Sequence, residues 1–130
     1  MTLLSESDDM RMVMLPNDVG ADIEFTGVLC SENMYRDPEA GTVTKQRLYL
    51  TDTKEQVYSV VISDGINNDH RVYKMRVEND QCRIDNGLFD VALDMHLLAS
   101  VVRGLCGLNN APYAEDFLST MVDTLYAANG

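Results

Sequence analysis

Apolar residues recur at every second position through much of the first two thirds of this chain, and near Leu88 their spacing changes to that of a helix. A period of two marks a strand with one buried face. From Met10 to Leu15 the methionines alternate, Met10, Met12 and Met14, before Pro16 ends the run. Proline is tolerated at sheet margins, so a short edge strand is expected there. From Asp22 to Cys30, Ile23, Phe25 and Leu29 fall on one side and Asp22, Glu24 and Thr26 on the other, a half-buried strand. The stretch 31–42 carries Asp37, Pro38, Glu39 and Gly41 and is expected to be the longest loop.

More strands follow at short intervals. From Lys45 to Thr51, Leu48 and Leu50 oppose Arg47 and Tyr49. From Gln56 to Ser63 both sides are apolar, Tyr58, Val60 and Ile62 against Val57 and Val61, as a central strand requires. From His70 to Glu78, Tyr73, Met75 and Val77 oppose Val72, Lys74 and Arg76, and Gln81 to Ile84 adds a short strand with Cys82 and Ile84 inward. Such short connections imply an antiparallel meander.

From Leu88 to Leu105 the residues Val91, Met95, Leu98, Val102 and Leu105 form a helical stripe behind Asn86 as cap. Leu93, Leu97 and Val101 fall outside that stripe and are the expected self-association surface, most simply of a twofold homodimer. A second helix is capped by Asn109 or Asn110, carries Pro112 in its first turn, and turns Tyr113, Phe117, Leu118, Met121, Val122 and Leu125 to one side. The fold expected is α+β: a five- to six-stranded antiparallel sheet, mostly a meander, with two C-terminal helices packed on one face. The length of 130 residues fits a single domain over 1–130, with 1–9 loose, strands mainly in 10–87 and the two helices in 88–130.

Charge changes the picture. Seven of the ten Lys and Arg residues lie between Val43 and Gly87, where they balance seven acids, while both flanks are acidic and the net charge is −11. The strand register puts Lys45, Arg47, Tyr49, Lys74, Arg76 and Arg83 on the outer sheet face. Cations interleaved with an aromatic suit a single-stranded nucleic acid, although one Tyr is a poor stacking platform and the net charge repels polyanions. The same residues also serve as a solvated strand face whose aliphatic stems cover the sheet, or as a seat for the acidic N-terminal segment.

Chemistry is harder to find. Cys30, Cys82 and Cys106 lack metal or disulfide spacing and are expected to be small buried hydrophobes. Asp64, Asn67, Asn68, Asp69 and His70 cluster but do not match a calcium loop; they read as turn residues. His96, Ser100 and Arg103 share a helix face without a third group to orient them, and Asp90 and Asp94 line another. No catalytic residue, metal or cofactor is therefore expected. No apolar run is long enough to span a bilayer and the start lacks a signal peptide's pattern, so a cytoplasmic location is expected. The function expected is a non-catalytic protein-interaction module of the adaptor, chaperone or inhibitor type, binding another protein or itself through apolar helix surface and a Met-containing N-terminus. Single-stranded nucleic-acid binding is the alternative, and an enzyme without a legible motif comes third.

Overall fold

A computed structural model describes residues 10–18, 20–105, 117–123 and 125. Its strands are β1 (Arg11–Leu15), β2 (Ile23–Asp37), β3 (Thr42–Thr51), β4 (Gln56–Ser63), β5 (Asn68–Glu78), β6 (Gln81–Asp85) and β7 (Asp90–Asp94). All seven form one antiparallel sheet in sequence order. A 3-10 turn, Met95–Leu97, leads into helix α1 (Leu98–Leu105), and residues 117–123 are again helical. The architecture is the expected α+β meander with helices on one face, but with seven strands instead of five or six.

One departure adds the seventh strand, and a second lengthens a strand already expected. The segment expected to open the first helix, around Asp90 to Asp94, is instead strand β7, paired with β6 through Cys82 opposite Leu93 and Ile84 opposite Val91. Over five residues the Val91 and Leu93 spacing satisfies a strand as well as a helix, and the unpaired edge of β6 decides. Asn86, expected to cap that helix, closes a turn instead, its Oδ1 accepting from the N–H groups of Leu88 and Phe89 at 3.0 and 2.9 Å. That bond pattern opens turns as readily as helices. The second departure is β2, which continues through the expected loop to Asp37. A bulge between Leu29 and Ser31 switches the alternation, so the apolar series of Ile23 and Phe25 does not carry forward in phase.

Alternation within β3, β4 and β5 divides the core in two. One face carries Leu48, Tyr58, Val60, Tyr73, Met75, Cys82 and Ile84, which pack against Leu98 and Val102 of α1 and Phe117, Leu118, Met121 and Leu125 of the second helical segment. Val60, Met75, Leu98 and Val102 are fully buried as expected, and Ile62 packs partly buried at the rim. Arg71 ties this layer to the sheet. Its Nη1 donates to the Leu105 carbonyl of α1 at 2.9 Å, while Nε and Nη2 bond both oxygens of Asp69 at 3.1 Å.

The opposite face is covered differently. Ile23 and Phe25, with Val13 and Leu15, pack on Tyr49, Val57 and Val72, so the β1–β2 hairpin lies over the sheet. Its tip is pinned by polar bonds. Asp18 N–H donates to the His70 carbonyl at 2.8 Å, and His70 N–H returns a bond to Asp18 Oδ2 at 2.7 Å. Asn17, buried, donates from Nδ2 to the carbonyls of Ala21 and Asn86. Gly20 and Gly87 meet so closely that a Cβ on Gly20 would lie 2.7 Å from the Gly87 carbonyl carbon. Only hydrogen fits at that crossing.

Candidate binding face

The β1–β2 hairpin divides the basic sheet face into two open parts. Lys45, Arg47, Tyr49, Lys74, Arg76 and Arg83 do share this face, as the register of β3, β4, β5 and β6 requires. Tyr49, however, is only 7% exposed and meets the Phe25 ring edge-on at 5.3 Å. It is a core residue of the hairpin contact, not a stacking platform.

On one side lies a cleft of about 270 Å³ among Glu55, Lys74, Arg76, Glu78, Arg83, Asp85 and Asp90. Arg76 sits 3.1 Å from Glu55 and 3.7 Å from Glu78, and Arg83 sits 2.9 Å from Asp90. Four acids face three bases here, and the cleft offers no cationic surplus.

On the other side is a cradle of about 400 Å³ lined by Met34, Val43, Lys45, Arg47, Val61, Ser63, Asn68 and His70. The strand pairs place Lys45, Val61 and His70 in one row, with Met34 beside Lys45. Arg47 is held by Glu32 at 2.7 Å, a bond that raises its pKa and keeps the charge fixed. Lys45 makes no ion pair among the described residues. His70 Nδ1 lies 3.3 Å from Asp18 Oδ2, and the His70 backbone N–H, more than the ring, lowers the Asp18 pKa. The cradle thus combines aliphatic floor, hydroxyl and amide groups, and cations along one wall. No sequence pattern marks it, because Met34, Ser63 and Asn68 carry no motif and meet only through the register.

The remaining sequence candidates disperse. Leu93 lies on β7 and packs against the helix-side core, Leu97 sits in the 3-10 turn at 44% exposure, and Val101 is half-buried on α1. They do not form one helical stripe. Exposed apolar surface is found elsewhere, at Met12 and Met14 on the outer side of β1 and at Met34. Cys30, expected to be buried, is exposed at the β2 bulge, whereas burial pushes the Cys82 thiol up to about 11 and keeps it protonated at neutral pH. Cys106 and the residues 109–113 lie outside the described residues, as does the acidic segment 1–9. Asp64 behaves as a turn residue, its Oδ1 accepting from Ile66 and Asn67 N–H at 2.9 and 2.7 Å; these bonds lower its pKa. His96, in the 3-10 turn, and Ser100, in α1, are exposed. Among the described residues no three His, Cys, Asp or Glu side chains converge on a metal position, and no helix is long and apolar enough to cross a membrane.

Compared with known proteins, the chain matches no family model, and no curated protein or solved structure is significantly similar to it.

Proposed function

We propose that the protein is a non-catalytic interaction module of the cytoplasm that holds an extended, acidic segment of a protein partner in the Lys45–Arg47–His70 cradle. The observation carrying this reading is the cradle's composition. Val43, Val61 and Met34 supply apolar contact, Lys45 and Arg47 supply charge, and Ser63 and Asn68 supply hydrogen-bonding groups in one open concavity. Such a mixture suits alternating apolar and carboxylate side chains. The shared placement of the bases also supports single-stranded nucleic acid, but burial of Tyr49 removes the exposed ring on which a base would stack. The acidic net charge disfavours a long polyanion more than a short acidic segment, whose few charges meet mainly the local cations.

Fluorescence anisotropy tests the choice with a labelled octapeptide alternating Glu and Val and with an eight-residue oligo-dT. The peptide is expected to bind, more weakly as salt rises, and Lys45→Glu with Arg47→Glu is expected to abolish binding while leaving the melting temperature nearly unchanged. Tighter binding of the oligonucleotide, or no peptide binding at low salt, overturns the reading.

A further inference from the structure

The long strand β2 has an outer edge that β1 covers only in part. β1 pairs with Ile23 to Gly27, and β3 runs along the inner edge of β2 as far as Asp37. Among the described residues no strand lies along the outer edge beyond Gly27. An open edge presents unpaired backbone donors and acceptors and is normally blunted by Pro, charged side chains (Lys above all), a bulge or a very short length. Residues 31–37 contain neither Pro nor Lys. They do contain Met34, 56% exposed, flanked on the same face by Glu32 and Arg36.

That triplet is self-complementary. Two antiparallel copies of a strand related by a twofold axis must pair residue i with itself at the centre. With Met34 at the centre, Glu32 of each copy faces Arg36 of the other, twice, and Met34 packs on Met34. Centring on Asn33 or Tyr35 instead puts Met34 opposite Glu32 or Arg36 and loses both ion pairs. Arg36 makes no ion pair among the described residues, and Glu32, which holds Arg47 through Oε2, keeps Oε1 to accept from it. The paired stretch fits between the bulge at Cys30 and the turn that begins at Pro38.

We propose that the protein dimerises through this edge, β2 against β2 of a second copy, in the register centred on Met34. The axis stands perpendicular to the sheet, so the basic faces of both copies lie on the same side. Met34 borders the cradle, and the two cradles then meet at the axis to form one symmetric groove, into which each copy contributes Met34 and Arg36. The groove rests on the proposed function; the dimer itself does not.

Charge exchange tests the pairing. Sedimentation velocity on the full chain at micromolar concentration is expected to give a dimer mass. Arg36→Glu places Glu opposite Glu twice and is expected to weaken the dimer at least about tenfold, and Glu32→Arg does the same with Arg opposite Arg. An equimolar mixture of the two variants is expected to recover the dimer, because each mixed pair again sets Glu against Arg. A merely structural role for either residue cannot produce that rescue. A monomer up to about 100 μM overturns the proposal. So does a dimer insensitive to Arg36→Glu but lost in Leu97→Asp, which places the contact at the 3-10 turn. A monomer that dimerises only when residues 1–9 are deleted assigns the edge to the protein's own chain and also overturns it. Peptide anisotropy separates the two proposals: binding by a monomer sinks the dimer alone, and a dimer that binds no peptide sinks the cradle alone.

Discussion

The two faces of one sheet are closed by different means. On the helix side, fourteen buried apolar residues among those described interlock across two layers, with buried Gln46 bonded to the Tyr58 hydroxyl beneath them. On the hairpin side only five buried residues form the contact, and polar bonds at Asn17 and Asp18 hold the tip. A helix pair brings enough apolar area to bury a whole sheet face, whereas a two-stranded ribbon does not. The second face therefore keeps open ground on both flanks of the hairpin, and there the cations collect.

The contrast sets an order of expected effects. Leu98→Ala on the helix side is expected to cost about 2–5 kcal/mol in urea denaturation, since the side chain is fully enclosed and its removal leaves a cavity. Phe25→Ala on the hairpin side is expected to cost about 2–3 kcal/mol, at or below the low end for Phe truncation, because the hairpin can settle over the smaller residue. A Phe25 cost above that of Leu98 would show that the hairpin is the true keystone. Asn17→Ala is expected to cost about 1–2 kcal/mol through the unpaired Asn86 carbonyl, and to speed hydrogen exchange at the His70 amide while leaving amides of α1 unchanged.

The smallest effect sharpens the comparison most. Asp18 titrates below its usual 3.8, chiefly because the His70 N–H bonds the carboxylate. A lowered carboxyl pKa stabilises the folded state fully above the ordinary value and loses that contribution as the pH falls through the lowered one. His70 amide exchange, corrected for intrinsic rate, is therefore expected to accelerate below about pH 4, with the helix-side core unmoved. Asp18→Asn should remove the pH step and leave the exchange fast throughout. A step that survives in Asp18→Asn would place its origin in another carboxylate.

Much of this arrangement was legible in the chain and some of it was not, for identifiable reasons. The alternation of Tyr58 with Val57 and Tyr73 with Val72 names both faces of the central strands, and the Leu98 and Val102 spacing names the helix that covers one of them. The shared face of Lys45, Arg47, Lys74, Arg76 and Arg83 follows from the same alternation. The bulge at Cys30 hid half of β2, since one extra residue inverts the phase on which such reasoning depends. Strand β7 was hidden by length, five residues being too few to separate two periods. The burial of Tyr49 was invisible because its cover comes from residues 23–25, and nothing local to Tyr49 announces a partner that distant in sequence.

The clasp at the hairpin tip also sets a timetable. Asp18 bonds a residue 52 positions further on, and Asn17 one 69 positions further on. Contacts that span so much chain are slow to form, because the intervening loop must close first. During synthesis the first hairpin leaves the ribosome before the turn at Asn86 that it must grip has been made. Strands β3 to β6 are thus free to pair before the hairpin settles, and for that interval Tyr49, Val57 and Val72 stand uncovered. The hairpin side, begun first in sequence, cannot close until the turn at Asn86 exists, and the helix side, whose cover comes from residues 98–125, must wait longer still.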